Sequence, residues 1–310
     1  MNYFLGIDVG GTFIKGVLAD QNGKILRDGS VPTQCELGGD GICQNIAALC
    51  VALQKEAGVA ARAIGVGCAG MIDKSGAVVF AGNLNLKNYP LAQKIEEIVN
   101  LPVKVTNDAN AAALGEAAFG AGKNYSDSVF ITLGTGVGGG IITGGKLFTG
   151  GGGVGAEVGH MVIVHGGNKC TCGRRGCFEA YSSATALTAA TAQAMKDNPK
   201  SAMWGKYTPQ TASAKTAFEF AEEDGVAREV VENYIYHLAC GIINLANIFR
   251  PQAIILGGGV AGQGEKLIAP LQKRLDEKIF GGNQNAPVKI VKATLGNLAG
   301  ALGAAKLAAE

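Results

Sequence analysis

Twice in this chain an apolar strand runs into a glycine turn and leaves it as another strand. The first instance is Asp8-Val-Gly-Gly-Thr12, which closes the apolar run Tyr3–Val9 and opens a second run over 13–19. The second is Leu133-Gly-Thr-Gly-Val-Gly-Gly-Gly140, set between the runs 128–133 and 138–143. Glycine lets the backbone reverse and approach a ligand closely, and consecutive N–H groups in such turns can cradle phosphate oxygens. A dinucleotide fingerprint needs a helix after its glycines, whereas Gly140-Ile-Ile-Thr continues as a strand, so a dinucleotide site is excluded. A third turn, Gly257-Gly258-Gly259, ends a strand over 253–256 and opens a helix, which suits contact with the adenosine portion of a nucleotide.

Around these turns the apolar periods are regular. Strands are expected over 3–9, 13–19 and 25–31, the last two joined by the hairpin signal Asn22-Gly23. Ile42, Ile46, Leu49 and Leu53 predict a helix over 41–57, followed by a strand over 63–68, a helix over 91–99 and a strand over 103–107. A second round then begins with a helix over 110–119 and strands over 128–133 and 138–143. It ends with a long helix over 226–249, strands over 253–256 and 288–293, and a closing helix over 300–309. The repetition predicts an α/β protein of two similar halves facing a cleft. The polar, proline-containing insertion 196–216 reads as a surface excursion.

The length of 310 residues allows a large core and favours two domains. A net charge of +2 with 17% charged residues carries no nucleic-acid or membrane field. Nothing at the start reads as a signal peptide, and apolar stretches such as 242–249 are too short to span a bilayer, so a soluble, cytoplasmic protein is expected. Eight cysteines in such a chain read as reduced thiols rather than disulfides. Cys35, Cys43, Cys50, Cys68 and Cys240 are scattered and read as small buried hydrophobes.

The remaining three cluster in Cys170-Thr-Cys-Gly-Arg-Arg-Gly-Cys177-Phe-Glu179, which follows Glu157-Val-Gly-His160. Thiolates from Cys170, Cys172 and Cys177 with one imidazole nitrogen of His160 can close a tetrahedral Zn²⁺ shell. Four protein ligands leave no open position, so the ion would be structural. Reduced cysteines beside a packed histidine are the alternative, and His165 is a second candidate ligand. Glu157 and Glu179 are threaded through the same stretch. Elsewhere, Asn107-Asp108-Ala-Asn110 ends a strand before an alanine-rich helix. Phosphoryl transfer to an alcohol needs a carboxylate to accept the hydroxyl proton, and Asp108 can serve. It can equally cap the helix. Asp8 can hold Mg²⁺ or sit solvated in an ordinary hairpin.

Taken together, these motifs resemble the ROK family (repressors, uncharacterised reading frames and sugar kinases), and its glucokinase-like members in particular. The resemblance covers nearly the whole chain and is most specific at Glu157-x-Gly-His160 and Cys170-x-Cys-Gly-x-x-Gly-Cys177-x-Glu179. It implies an actin/hexokinase-type fold of two ribonuclease-H-like domains with a cleft between them. Residues 1–108 plus 297–310 would form the small domain, and 109–296 the large one carrying the zinc loop. It implies ATP- and Mg²⁺-dependent phosphorylation of a hexose at its 6-hydroxyl, glucose first, with N-acetylmannosamine, N-acetylglucosamine, allose or fructose as alternatives. Asp108 would be the general base, and Asn107, Asp108, Glu157, His160 and Glu179 would hold sugar hydroxyls, with Gly70 and Asn83 beside them. Asp8, Gly10, Gly11, Thr12, Gly134, Thr135, Gly136, Gly257, Gly258 and Gly259 would hold the nucleotide. His160 would serve twice, one nitrogen on zinc and the other toward the sugar. A homodimer is implied as well. The family also contains sugar-sensing repressors, and with the first phosphate motif at Asp8 no DNA-binding domain is expected, so a repressor lacking that domain is the remote alternative. Two positions depart from the usual pattern: Phe13 stands where Lys is frequent, and Ala69 where Pro often precedes Gly70.

Overall fold

In the computed structural model, which describes residues 1–310, the first half of the chain runs β1 (Tyr3–Val9), β2 (Phe13–Asp20), β3 (Ile25–Pro32), α1 (Gly38–Ala57), β4 (Ile64–Cys68) and three short strands. These are β5 (Met71–Ile72), β6 (Val78–Ala81) and β7 (Leu86–Tyr89), followed by α2 (Leu91–Val99), β8 (Val103–Asn107) and α3 (Asp108–Phe119). The second half begins with β9 (Ser128–Leu133), β10 (Val137–Thr143) and β11 (Lys146–Phe148). Helices α4 (Glu179–Ser182), α5 (Ala184–Asp197), α6 (Thr216–Phe220) and α7 (Gly225–Phe249) follow. It closes with β12 (Ala253–Gly257), α8 (Gly258–Ala261), α9 (Glu265–Lys278), β13 (Lys289–Lys292) and α10 (Ala299–Ala309). One sheet is ordered β3-β2-β1-β4-β8 and the other β11-β10-β9-β12-β13, the same plan executed twice. In the first, β1 pairs antiparallel with β2 and parallel with β4, and β4 pairs parallel with β8.

Strand alternation decides which face each β1 residue serves. Leu5, Ile7 and Val9 join Ile42, Ile46, Leu49 and Leu53 of α1 in one buried cluster. Phe4, with Val17 and Ala19 of β2, packs instead with Ala301, Leu302, Ala305 and Ala308 of α10. Between Phe4 and Asp8 on that face stands Gly6, where an added Cβ would fall 1.9 Å from the Ala301 carbonyl oxygen. On Gly303, facing α3, a Cβ would lie 1.7 Å from the Ala111 carbonyl oxygen. Glycines thus bring the α10 backbone directly onto both the sheet and α3.

Packing groups the chain into two compact units: Met1–Phe130 with Gly140–Ala156 and Thr294–Glu310, and Ile131–Gly139 with Glu157–Ala293. Helix α3 falls in the first unit because of its close approach to α10. No helix is long and apolar enough to cross a membrane. The small antiparallel sheet β5-β6-β7 has no counterpart in the sequence reading. Part of the 196–216 insertion is packed, since Met203 is fully buried with Met195, Ala212 and Ala227. Its Ser201 hydroxyl donates to the buried Asp224, which caps α7.

Glu116 of α3 is fully buried and fastens the approach to α10. Its carboxylate accepts from the amides of Ala121 (2.8 Å), Thr294 (3.0 Å) and Leu295 (2.8 Å). Glu116→Ala orphans those donors inside the protein and is expected to lower the unfolding free energy by about 3 kcal/mol. An unchanged urea midpoint would show that the 294–295 segment is held by something else.

Candidate active site

Register brings the chemistry of the first unit to one sheet edge. Asp8 lies opposite Lys15 of β2 and Gly67 of β4, while Cys68 lies opposite Asn107 of β8. The turn after β1 is knit by the Gly10 amide donating to the Phe13 carbonyl (3.1 Å) and the buried Thr33 hydroxyl donating to the Gly10 carbonyl (2.7 Å). The Gly10 N–H is therefore spent inside the turn, and Gly11 and Thr12, both exposed, are left to meet a ligand. The Cys35 thiol reaches the carbonyls of both Gly11 (3.1 Å) and Asn83 (3.5 Å), so the phosphate turn and the Asn83 loop share one anchor.

At the end of β8 the capping question is answered in favour of Asn107. Its Oδ1 accepts from the Ala109 and Asn110 amides at 2.8 and 3.2 Å, and its Nδ2 donates to the Gly70 carbonyl at 2.9 Å. Gly70 has φ +135°, and a Cβ there would meet the Phe80 carbonyl oxygen at 2.6 Å, so no other residue fits that loop. Asp108 becomes the first helical residue, its Oδ1 accepting from the Ala109 amide (2.9 Å). Burial raises the Asp108 carboxyl above the ordinary range, against the opposing pull of nearby N–H groups. Burial, and then repulsion from Asp108, push Asp8 from 3.8 to about 6, with Lys15 working the other way. Gly300 of α10 sits against the Asp8 carboxylate, where a Cβ would come within 2.9 Å.

In the second unit the ligand atoms of His160, Cys170, Cys172 and Cys177 all lie within 4.8 Å of one another. The Cys172 and Cys177 sulfurs are 3.7 Å apart, and Cys170 Sγ is 3.7 Å from His160 Nδ1. Ligands on bonds of about 2.3 Å around a tetrahedral zinc stand about 3.8 Å apart, so donor set and spacing fit one ion. The chain here also has a short 3₁₀ turn at Val158–His160, the isolated bridges Val162 to Cys177 and Lys169 to Arg175, and backbone bonds such as the Ile163 amide to the Gly176 carbonyl (2.9 Å) and the Cys170 amide to the Arg174 carbonyl (2.8 Å). Nδ1 is the ring nitrogen turned to the sulfurs. His165 is not among the four. Glu157 opens the 3₁₀ turn and is exposed.

The 134–136 turn is fastened from outside. The Ala184 amide donates to the Gly134 carbonyl and the Thr185 hydroxyl to the Thr135 carbonyl, each at 2.8 Å. Glu179 does not stand free: its Oε2 accepts from the Val137 amide (3.1 Å) and its Oε1 from the Thr171 hydroxyl (3.0 Å). Gly258 (φ +81°), which opens the short α8, packs on the Leu133 backbone, with Leu133 oxygen 2.5 Å from where a Cβ would stand. Thr33, Thr171, Thr185 and Gly300 were missed from sequence. Single hydroxyls and glycines that act on distant residues leave no local signal.

A sequence profile of the ROK family matches residues 4–310, and the chain belongs to that family. It is 38% identical to the glucokinase of Streptomyces coelicolor, over 100% of this chain and 98% of that protein. It is 36% identical to the glucokinase of Thermotoga maritima, over 99% of this chain and 97% of that one. Among solved structures it is similar to a ROK family glucokinase from Streptomyces griseus in complex with glucose and AMPPNP. The TM-score is 0.84 at 38% identity, with 99% of each chain covered. The fold is accordingly the mixed α/β, actin/hexokinase type.

Proposed function

We propose that this chain transfers the γ-phosphoryl group of ATP to the 6-hydroxyl of glucose. The observation that carries the reading is likeness along the whole chain to a glucokinase bound to glucose and AMPPNP. In the first unit Asp108 acts as general base. Its carboxylate takes the 6-hydroxyl proton as that oxygen bonds to the γ-phosphorus, the bond to the β–γ bridging oxygen breaks, and ADP leaves. A raised pKa suits this task, because a carboxylate of higher proton affinity is a stronger base. Asn107, already committed as cap and as donor to Gly70, keeps one Nδ2 hydrogen for a sugar hydroxyl. The Gly70 and Asn83 loops adjoin it.

In the second unit Glu157, His160 Nε2 and Glu179 hold sugar hydroxyls. A carboxylate can accept from two hydroxyls at once, which favours a sugar bare of N-acetyl groups, and Glu157 is the residue on which the choice of glucose rests. The amides of Gly11, Thr12, Thr135 and Gly136 serve the phosphates, and Gly257, Gly258 and Gly259 the adenosine. Magnesium held through Asp8 supplies charge neutralisation on the phosphates. His160, Cys170, Cys172 and Cys177 hold a structural zinc that fixes the loop bearing Glu157 and Glu179.

The test is ADP release with Mg-ATP and single sugars: glucose, mannose, fructose, N-acetylglucosamine, N-acetylmannosamine and allose. Glucose-dependent turnover well above the rest is the expected result. Turnover confined to an N-acetyl sugar would overturn the substrate while keeping the chemistry. No turnover with any of them would overturn the kinase reading itself.

A further inference from the structure

Glu179 is engaged on two sides at once. Toward the glycine turn, its Oε2 accepts from the Val137 amide at 3.1 Å and sits over Gly136, where a Cβ would stand 2.3 Å from it. The carboxylate has this seat only because residue 136 lacks a side chain. Toward the cysteine loop, its Oε1 accepts from the Thr171 hydroxyl at 3.0 Å. Thr171 lies between two of the sulfur ligands. The other outside supports of the turn, from Ala184 and Thr185, come from the start of α5, which directly follows the α4 helix that Glu179 opens. Three separate hydrogen bonds therefore hang the 134–137 backbone on one short stretch immediately after the cysteine motif. Together they turn the Gly134 and Thr135 carbonyls and the Val137 amide inward, and leave the Thr135 and Gly136 N–H groups for a phosphate.

We propose that Glu179 is a positioning residue for the nucleotide: its carboxylate splints the 134–136 phosphate turn to the metal loop, so that order in the loop sets the turn's affinity for phosphate. The inference rests on the nucleotide and zinc readings above and adds a link between them that neither contains. A donor turn binds an anion well when its N–H groups are held in place beforehand, and losing a charge-assisted anchor lets them wander.

The experiment measures affinity for Mg-AMPPNP by calorimetry with no sugar present, so the sugar-binding part of Glu179 is silent. Glu179→Ala is expected to weaken binding about tenfold, by loss of a hydrogen bond to a charged group. Glu179→Gln keeps an acceptor for Val137 and is expected to recover most nucleotide affinity without recovering sugar affinity. Thr171→Val, which touches only the far side of the splint, should weaken AMPPNP by a few-fold. Chelating the metal should weaken AMPPNP in the parent protein but add little in Glu179→Ala, since both remove one link. Unchanged AMPPNP affinity in Glu179→Ala, or strictly additive effects of chelation and substitution, overturns the splint. Parent protein that binds no AMPPNP would instead overturn the nucleotide reading.

Discussion

Asp108→Asn is expected to lower turnover by about 10²–10⁴-fold and, with magnesium and nucleotide left out, to raise the unfolding midpoint. The first effect follows from the proton. An amide cannot accept it from the sugar hydroxyl, whereas it keeps the shape of the carboxylate and the bond from the Ala109 amide. The second follows from charge. Desolvation raises both Asp8 and Asp108 above the ordinary range, and at Asp8 repulsion from Asp108 adds to it. A folded pKa above the unfolded one means that protonation favours the fold. The contribution is fully present below the unfolded value of 3.8 and is lost as pH rises through about 6 for Asp8. A displacement of that size corresponds to about 3 kcal/mol at neutral pH, which the native pair forgoes to keep its charges. Removing one charge relieves part of it. Calorimetry at pH 7.5 and the coupled assay read the two effects separately, and stability should rise as the parent protein is taken from pH 7 toward pH 4.5. Turnover within tenfold of the parent would remove Asp108 as the base. A lowered midpoint would mean that the attraction of its charge for the N–H groups of the first helical turn outweighs the repulsion from Asp8.

What the sequence disclosed followed the range of the interaction. The period-2 strands and glycine turns of both sheets were legible because alternation and turn chemistry act between neighbours, and β1, β8 and β9 fall where they were expected. The four candidate zinc ligands were legible for the same reason, as their spacing is nearly local. At Asp108 the roles of cap and base were both open, since an aspartate accepts readily from helix N–H groups. Only the approach of Gly70 to the Asn107 amide group decides it. Helix α9 was hidden by Pro270 within it, and α5 by a run of alanine and threonine with a weak apolar stripe. Glu116, which reaches 178 residues along the chain to Thr294, offered no sequence signal, because nothing near it in sequence needs a carboxylate. Glu179 stood out in the sequence beside the cysteine motif, but not as a support of the 134–137 backbone.

Removing the metal is expected to have the widest consequence of any single perturbation. Purified protein should contain about one zinc per chain, because four ligands of this kind close one shell. The loop from Glu157 to Glu179 has no sheet or long helix to keep it in place, only a 3₁₀ turn, two isolated bridges and scattered backbone hydrogen bonds such as those from Ile163 to Gly176 and from Cys170 to Arg174. Structural zinc contributes about 10–16 kcal/mol to small domains of comparable irregularity, far more than those bridges can replace. Chelation, or Cys177→Ser at the fully buried ligand, should therefore release Glu157, His160 and Glu179 together. Sugar affinity should fall at least about 100-fold, since three polar partners lose their positions, each worth about 1 kcal/mol or more. Nucleotide affinity should fall by only about tenfold, through the Glu179 link alone. The ranking is the informative part. A protein merely unfolded by chelation would lose both ligands equally, and near-ultraviolet circular dichroism would report the collapse. A protein that is fully active and free of zinc would leave His160 and the three cysteines as packing, and would take the metal out of the account of the sugar site.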